Sequence, residues 1–147
     1  MRKLELDDRT HNKIAGLCER ADQAAEQGKL DQALGHYAKA LALLPEPASN
    51  WEAATWIYAA IGDVHFLVGS FEVARQAFQE AICCPGAIEN PFLHLRLGQL
   101  ALEDGDEDQA ALELRRAFKA EGEEIFARDD PKYLAFLKAR VDPPTKE

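Results

Sequence analysis

Three glycines, each followed by the same run of small and aromatic residues, constrain the fold of this chain more than any other feature. An alanine stands five residues after each of Gly28, Gly69 and Gly105; an aromatic or leucine residue follows four residues later, and a second alanine three residues after that. These spacings place the alanine and aromatic side chains on one face of a helix. Glycine ends a preceding helix by adopting a left-handed conformation. The pattern therefore predicts three helical hairpins, each turned at a glycine.

The helix before each glycine carries its own repeated positions. In the central hairpin, residues 58–81, Gly62 and Ala74 leave little side chain between the two helices, so we predict that their backbones approach closely there. Ser70 is a suitable cap for the second helix. The corresponding positions before the three glycines are Leu17, Arg20, Ala21 and Ala24, then Tyr58, Ile61, Gly62 and His65, then His94, Leu97, Gly98 and Ala101.

These repeated positions resemble the tetratricopeptide repeat, whose first helix carries an aromatic residue, Leu-Gly and Tyr, and whose second carries Ala, an aromatic residue and Pro. Arg20 and Ala24 depart from that pattern, as an atypical terminal repeat would. The glycines are 41 and then 36 residues apart. We place the extra residues of the longer interval in LLPEPASNW (43–51), where two prolines interrupt helix and Asn50 can cap the next one. Either the helices that flank this segment or the loop itself is lengthened.

The resemblance implies an all-α fold, a right-handed superhelix (α-solenoid) of three hairpins closed by a C-terminal capping helix. We predict one domain over residues 1–141 and a frayed tail at 142–147. The repeats are expected at about 14–47, 55–88 and 91–124 and the capping helix at about 130–140, with hairpin helices near 8–27, 30–44, 50–68, 70–84, 90–104 and 106–121. Asn90-Pro91, Asp106 with Gln109, and Asp130-Pro131 mark the starts of the last three helices.

Composition excludes several classes of protein. A net charge of −9, from 26 acidic and 17 basic residues, argues against a nucleic-acid binder. No apolar run approaches the roughly 20 residues of a membrane span, and the N-terminus has no apolar core of signal-peptide type, so we predict a cytoplasmic protein. Cys18, Cys83 and Cys84 lack metal-ligand spacing and are interpreted as idle thiols of a reducing compartment.

No catalytic constellation is present in the sequence. His65 and His94 stand where the family places packing aromatics, and the stretch 104–109 lacks the ligand ladder of a calcium loop. Acidic pairs fall at predicted helix starts or turns, where negative charge is favoured. We therefore predict that the chain is not an enzyme and holds neither cofactor nor metal.

What the resemblance implies is a partner-binding groove lined by the first helix of each hairpin. Aromatic anchors among acids suit a protein segment with apolar and basic side chains. The C-terminal helix or a second copy of the chain could fill the groove instead, so a homo-oligomer is an alternative. The predicted lining residues are Asp22, Glu26, Trp56, Ala59, Asp63, Phe66, Phe92, Leu95, Gln99, Leu102 and Glu103.

Three versions of such binding can be compared with the sequence. The family's clamp for the C-terminal carboxylate of chaperone tails needs Lys, Asn and Arg, but the corresponding positions are Cys18, Asp22, Ala60 and Phe92, and Arg96 alone matches. The ending EGEEIF…DDPKYLAFLK resembles that of small bacterial tetratricopeptide proteins that accompany polymorphic toxins, which implies an immunity or adaptor role. A small acidic chaperone of secreted proteins and a self-assembling scaffold are the alternatives.

Overall fold

The computed structural model describes residues 6–141, and over this part the chain is all-α, without a strand. Every helix boundary lies within two residues of its predicted position. The predicted frayed tail, 142–147, lies outside the described residues, as do residues 1–5 of the N-terminus. The helices are α1 (Asp8–Glu26), α2 (Leu30–Ala42), α3 (Glu52–Leu67), α4 (Phe71–Ile82), α5 (Pro91–Glu103), α6 (Glu107–Glu121) and α7 (Pro131–Val141), with 3₁₀ turns at Ala48–Asn50, Ala87–Glu89 and Gly122–Phe126.

The described residues divide after Ile88 into two compact units. In the first unit α1 packs against α2, α2 against α3, and α3 against α4. In the second unit α5 packs against α6, and α7 contacts α6 and the 3₁₀ turn at Gly122–Phe126. The helices thus form the three predicted hairpins and the predicted capping helix; the single domain and the repeat limits stay predictions.

All three hairpins turn through the same backbone geometry. Gly28 has a φ of 79°, and the next residue, Lys29, donates its N–H to the carbonyl of Ala24 at 2.8 Å. Gly69 and Gly105 have φ values of 85° and 84°, and the residue after each makes the same bond five residues back. This is the Schellman ending of a helix, which requires the left-handed conformation that glycine adopts without strain. The glycine-turn prediction is confirmed.

Side-chain caps start the last three helices as predicted. The Asn90 side chain accepts the N–H of Phe92 at 2.9 Å, and the Asp106 carboxylate accepts the N–H of Gln109 at 3.2 Å. Asp130 accepts the N–H of Lys132 at 3.0 Å. Each of these bonds satisfies a donor of the first helical turn.

Two other cap predictions differ in outcome. Ser70 is the N-cap residue of α4 as predicted, but its side chain makes no capping bond, whereas the Asn50 prediction is wrong. Asn50 belongs to the 3₁₀ turn at Ala48–Asn50, and α3 begins at Glu52 after Trp51. The Trp51 indole donates to the carbonyl of Pro45 at 2.8 Å, which holds the connection against the start of α3.

The additional length of the first interval lies mainly in a helix, not in the proline-containing segment. Helix α3 has 16 residues, whereas α5, its counterpart in the next hairpin, has 13. The two prolines do end α2, but the chain uses the remaining residues to extend α3.

Close helix packing occurs at the predicted glycine of the central hairpin. A Cβ atom on Gly62 would lie 2.8 Å from Cζ of Phe78, which is fully buried on α4. Gly98 has the same relation to α6, since its Cβ would lie 2.7 Å from Leu114 Cδ2. Both separations are much shorter than van der Waals contact, so a larger residue would clash at either position. These glycines therefore let the two helices of each hairpin pack closely.

Candidate functional site

The predicted binding residues of the first unit lie on two helices. Asp22 and Glu26 stand one turn apart on α1. On α3, Trp56, Asp63 and the residues between and beyond them recur at intervals of three or four, which is the spacing of one helix face. We call this set the acidic-aromatic face, and its members are Asp22, Glu26, Trp56, Ala59, Asp63 and Phe66.

Two acidic residues of this face, Asp22 and Asp63, both act on the buried hydroxyl of Tyr37. Tyr37, on α2 and 4% exposed, donates its hydroxyl to the carboxylate of Asp22. Burial is the main cause that raises the pKa of Tyr37, and the Asp22 hydrogen bond and the negative charges of Asp22 and Asp63 act in the same direction. Carboxylates from α1 and α3 therefore both act on one hydroxyl from α2, which concentrates negative charge here.

Besides burial, the same negative charge affects the pKa of the Cys18 thiol. Burial raises the pKa of Cys18, and the negative charge of Asp22 raises it further. A cationic group from a partner would lower the repulsion that these acids exert on one another. The acidic-aromatic face thus carries concentrated negative charge around Asp22.

The aromatic members differ in how much they expose. Trp56 is 60% exposed, a large apolar side chain left at the surface. Phe66, by contrast, is buried and packs against the ring of Phe71 with centroids 5.4 Å apart, and Ala59 is buried as well. Of the predicted aromatic residues in this unit, Trp56 is therefore exposed and Phe66 is not.

In the second unit, the structure buries much of the predicted surface. Leu95 and Gln99 are 2% and 0% exposed, and Leu102 is half-buried. Phe92 is also half-buried, and the guanidinium of Arg96 lies 5.0 Å from the centroid of its ring. These α5 side chains are already engaged within the chain.

A buried polar group accounts for part of that engagement. The guanidinium of Arg96 donates to the side-chain oxygen of Gln99 at 2.7 Å and to Asp129 at 3.0 Å, while Gln99 donates its amide to Asp129 at 3.0 Å. The side chains of Arg96 and Asp129 are 7% and 9% exposed. Asp129 thus fastens the turn before α7 onto α5.

Glu103 is held by the same C-terminal segment. Its carboxylate accepts the hydroxyl of Tyr133 and pairs with the ammonium of Lys132, both at 2.6 Å. The hydrogen bond from Lys132 is the main cause that lowers the pKa of Glu103, followed by that from Tyr133. In the second unit, the C-terminal segment therefore contacts Gln99 and Glu103, two of the predicted lining residues.

Sequence reasoning missed the roles of Tyr37 and Asp129. The repeat pattern predicts a packing role for Tyr37, because Tyr37 occupies its aromatic position. Asp129 is half of an acidic pair near a predicted helix start, which favours a structural role. Neither role has a local signal, since their partners are 15 to 33 residues away.

His94 is held inside the second unit by a carboxylate. His94 is 8% exposed, and its Nδ1 lies 2.6 Å from the carboxylate of Glu113, which also accepts the amide of Gln109 at 3.0 Å. Among residues 6–141 there is no group of three or more His, Cys, Asp or Glu side chains placed to hold a metal ion. Within the same residues, none of the helices has the length and apolar character needed to cross a bilayer.

Comparison with known proteins bears on the fold. Residues 12–82 match the family model described as tetratricopeptide repeat, whereas no curated protein sequence matches the chain. Among solved structures, the first TPR of Spaghetti (RPAP3) bound to the HSP90 peptide SRMEEVD has a TM-score of 0.67 and 17% identity, and the match covers 93% of this chain and 94% of that one.

Two further structures are similar over most of their length. The N-terminal domain of stress-induced protein-1 (STI-1) from C. elegans gives a TM-score of 0.64 at 19% identity, covering 91% of this chain and 98% of that one. The Arabidopsis OM64 TPR domain gives 0.66 at 18%, covering 88% and 95%. Residues 12–82 thus carry tetratricopeptide repeats, and the chain has the all-α fold of tetratricopeptide repeat proteins, as its glycine, alanine and aromatic positions predict.

Proposed function

We propose that this chain is a non-catalytic protein-binding module that holds a partner segment on the acidic-aromatic face. The observation that carries the proposal is Trp56, 60% exposed and two turns from Asp63 on α3. Such a side chain offers a large contact area at low cost in conformational entropy. Trp56 would anchor the partner segment, and the acidic residues beside Trp56 would favour positive charge on that segment.

Charge selects a partner segment with basic side chains next to an apolar one. Asp22 and Glu26 are exposed, and the negative field at Tyr37 adds Asp63 to the same region. A net charge of −9 also steers a basic protein toward the chain and speeds association. Affinity should come mainly from burial of Trp56, and association rate mainly from the acids.

The partner should differ from the peptide bound by the similar RPAP3 domain. That domain is bound to an HSP90 peptide ending in EEVD. In this chain Asp22 would repel such an acidic tail, and Arg96, the single cation at a matching position, is buried and bonded to Asp129 and Gln99. The proposed ligand is therefore cationic.

We further propose that the chain acts in a bacterial cytoplasm as an immunity protein, inhibitor or adaptor of a basic toxin. Supporting this are the acidic charge and the likeness of the segment 121–138 to the ending of toxin-associated tetratricopeptide proteins. A secretion chaperone or a self-assembling scaffold differs in its expected partner, which would be a translocator or a second copy. Identification of the bound protein separates the three.

The test compares three baits in a lysate of the source cells: the native chain, Trp56→Ala and Val73→Ala. Val73 is a matched control because it is also exposed, at 45%, but lies on the second helix of the same hairpin. We expect a basic protein to be retained by the native and Val73→Ala baits, weakly at high salt, and lost from Trp56→Ala. Equal retention by all three baits would contradict the proposal.

Fluorescence then tests contact with Trp56 directly. Trp51→Phe leaves Trp56 as the sole indole of the chain. Binding of the purified partner should shift the emission of Trp56 to shorter wavelength, because the exposed ring loses water. Unchanged emission at saturation would place the partner elsewhere.

A further inference from the structure

A second face of α1 carries the opposite charge. Arg9, Lys13 and Arg20 line a concavity of about 580 Å³ together with uncharged residues, and among residues 6–141 no acidic residue lines it. The uncharged lining residues are Asn12, Gly16, Leu17 and Leu43. On α1, Arg9, Lys13, Gly16 and Arg20 follow one another at intervals of four, three and four residues, so they form one stripe along the helix.

The cations of this stripe are available to a ligand. Arg9, Lys13 and Arg20 are exposed. In the part of the chain that the structure describes, neither Lys13 nor Arg20 is paired with a carboxylate. On an acidic surface meant only for solubility, charges of both signs would be interspersed. The charge of Arg9 acts on Asp7, the N-cap residue of α1, whereas Lys13 and Arg20 lie on a face apart from Asp22 and Glu26. Segregation of Lys13 and Arg20 from these acids therefore indicates a binding surface.

The floor of the concavity is apolar and open. Leu17 is half-buried, and Leu43, just after α2, is 37% exposed. A Cβ atom on Gly16 would meet nothing within 4 Å. A helix lying along α1 could therefore approach its backbone at Gly16 and cover both leucines.

We propose that this cationic face binds an acidic amphipathic helix of a partner protein. From Arg9 to Arg20 the stripe spans about 16 Å at 1.5 Å per residue, so about three turns of a bound helix would cover it. Carboxylates of the partner would meet the three cations, and its apolar side chains would cover Leu17 and Leu43. Charge complementarity makes the ligand acidic on this face.

This inference does not depend on the proposed function. The acidic-aromatic face takes a basic segment, whereas the cationic face takes an acidic one, and the two faces share no residue. The failure of either proposal would leave the other standing.

The experiment titrates the full ¹⁵N-labelled chain with an acetylated, amidated helical peptide of about 15 residues, carrying glutamates and leucines on one face. We expect saturable amide shifts confined to α1 and the neighbourhood of Leu43, weakened by salt. The double variant Lys13→Glu, Arg20→Glu should raise the dissociation constant about tenfold or more, since attraction becomes repulsion. Lys39→Glu, an exposed cation of α2 outside this face, is the matched control and should change it less than about twofold.

A second variant tests shape without changing charge. Gly16→Gln places a side chain in open space, so the free protein should keep its helical content while the bound helix is held away. We expect a loss of affinity similar to that of the double charge reversal. Unaltered affinity would overturn the docking of a helix at Gly16.

Other outcomes overturn the proposal in defined ways. An equal affinity for the same peptide with glutamine in place of glutamate would remove the role of charge. Saturation of the same amides by inorganic phosphate at equal affinity would reduce the face to a simple anion site. Self-association that the double charge reversal abolishes would assign the face to a second copy, and the absence of saturable shifts would refute binding altogether.

Discussion

Replacing Gly62 with alanine should destabilise the first unit, although alanine is the better helix former. In a helix interior, alanine is favoured over glycine by about 1 kcal/mol. The new methyl group, however, would lie 2.8 Å from Cζ and 2.9 Å from two further ring carbons of Phe78. Phe78 is fully buried, so its ring has no free space to enter.

The two effects can be weighed against each other. Overpacking of a filled core costs about 1–3 kcal/mol. The new methyl group would lie more than half an ångström inside normal van der Waals contact with the Phe78 ring, so Gly62→Ala should carry a cost of this size. The packing cost should exceed the helix-propensity gain, with a net loss of up to about 2 kcal/mol in the free energy of unfolding. For a chain of this size, each loss of about 1 kcal/mol lowers the melting temperature by roughly 2–4 °C.

Substitutions at two other glycines allow the effect of an added methyl group on stability to be ranked. Gly98→Ala should cost at least as much, because its methyl group would meet not only the Leu114 side chain at 2.7 Å but also the backbone nitrogen of Leu114 at 3.0 Å, which cannot rotate away. Gly35→Ala is the control: Gly35 lies inside α2 with nothing within 4 Å of its Cβ position. That variant should be stabilised by about 1 kcal/mol.

Urea denaturation followed by circular dichroism measures all three variants. The order expected from least to most stable is Gly98→Ala, Gly62→Ala, native and Gly35→Ala. Phe78→Leu should partly rescue Gly62→Ala, with a coupling energy of about 0.5–3 kcal/mol between neighbours in contact. If Gly62→Ala stabilised the protein as much as Gly35→Ala, close packing of the hairpin would be refuted.

Two further predictions concern the C-terminal segment. Because the pKa of Glu103 is lowered, its contribution to stability is present above the ordinary carboxyl pKa of 4.5 and is lost as pH falls through the lower folded-state value; Glu103→Gln should flatten this acid limb, and an unchanged limb in pH-dependent melting would exclude Glu103 as its source. Asp129→Ala should cost about 3 kcal/mol, since it leaves the buried Arg96 without its carboxylate. Amide hydrogen exchange in α7 should then quicken, whereas slow exchange would show that Asp129 does not fasten the segment.

The helices could be predicted from sequence because their ends are encoded locally. Left-handed glycines, Asn90 and Asp106 each act within a few residues of their own position. The connection at 43–51 was harder, because a residue with good capping chemistry, Asn50, was used in a 3₁₀ turn instead. Propensity indicates what a residue can do, and the packing of neighbouring groups such as Trp51 decides what it does.

The binding surface could be predicted less completely, for a physical reason. The family resemblance supplies Asp22, Trp56 and Asp63 as predicted binding residues, and helical periodicity identifies which such residues share a face. It gives no information on which faces a distant segment covers, and Gln99 and Glu103 are covered by residues 30 positions later. Such long-range pairs depend on the tertiary arrangement, which one sequence does not reveal.

The hairpin turns and the connections between hairpins tolerate change differently. Inside each hairpin the helices are joined by residues 27–29, 68–70 and 104–106, all with the same glycine geometry. The connections at 43–51, 83–90 and 122–130 are longer and do not share one conformation. A chain of this kind can therefore gain residues, or accept a grafted recognition loop, at the connections, whereas at the turns the geometry leaves no such freedom.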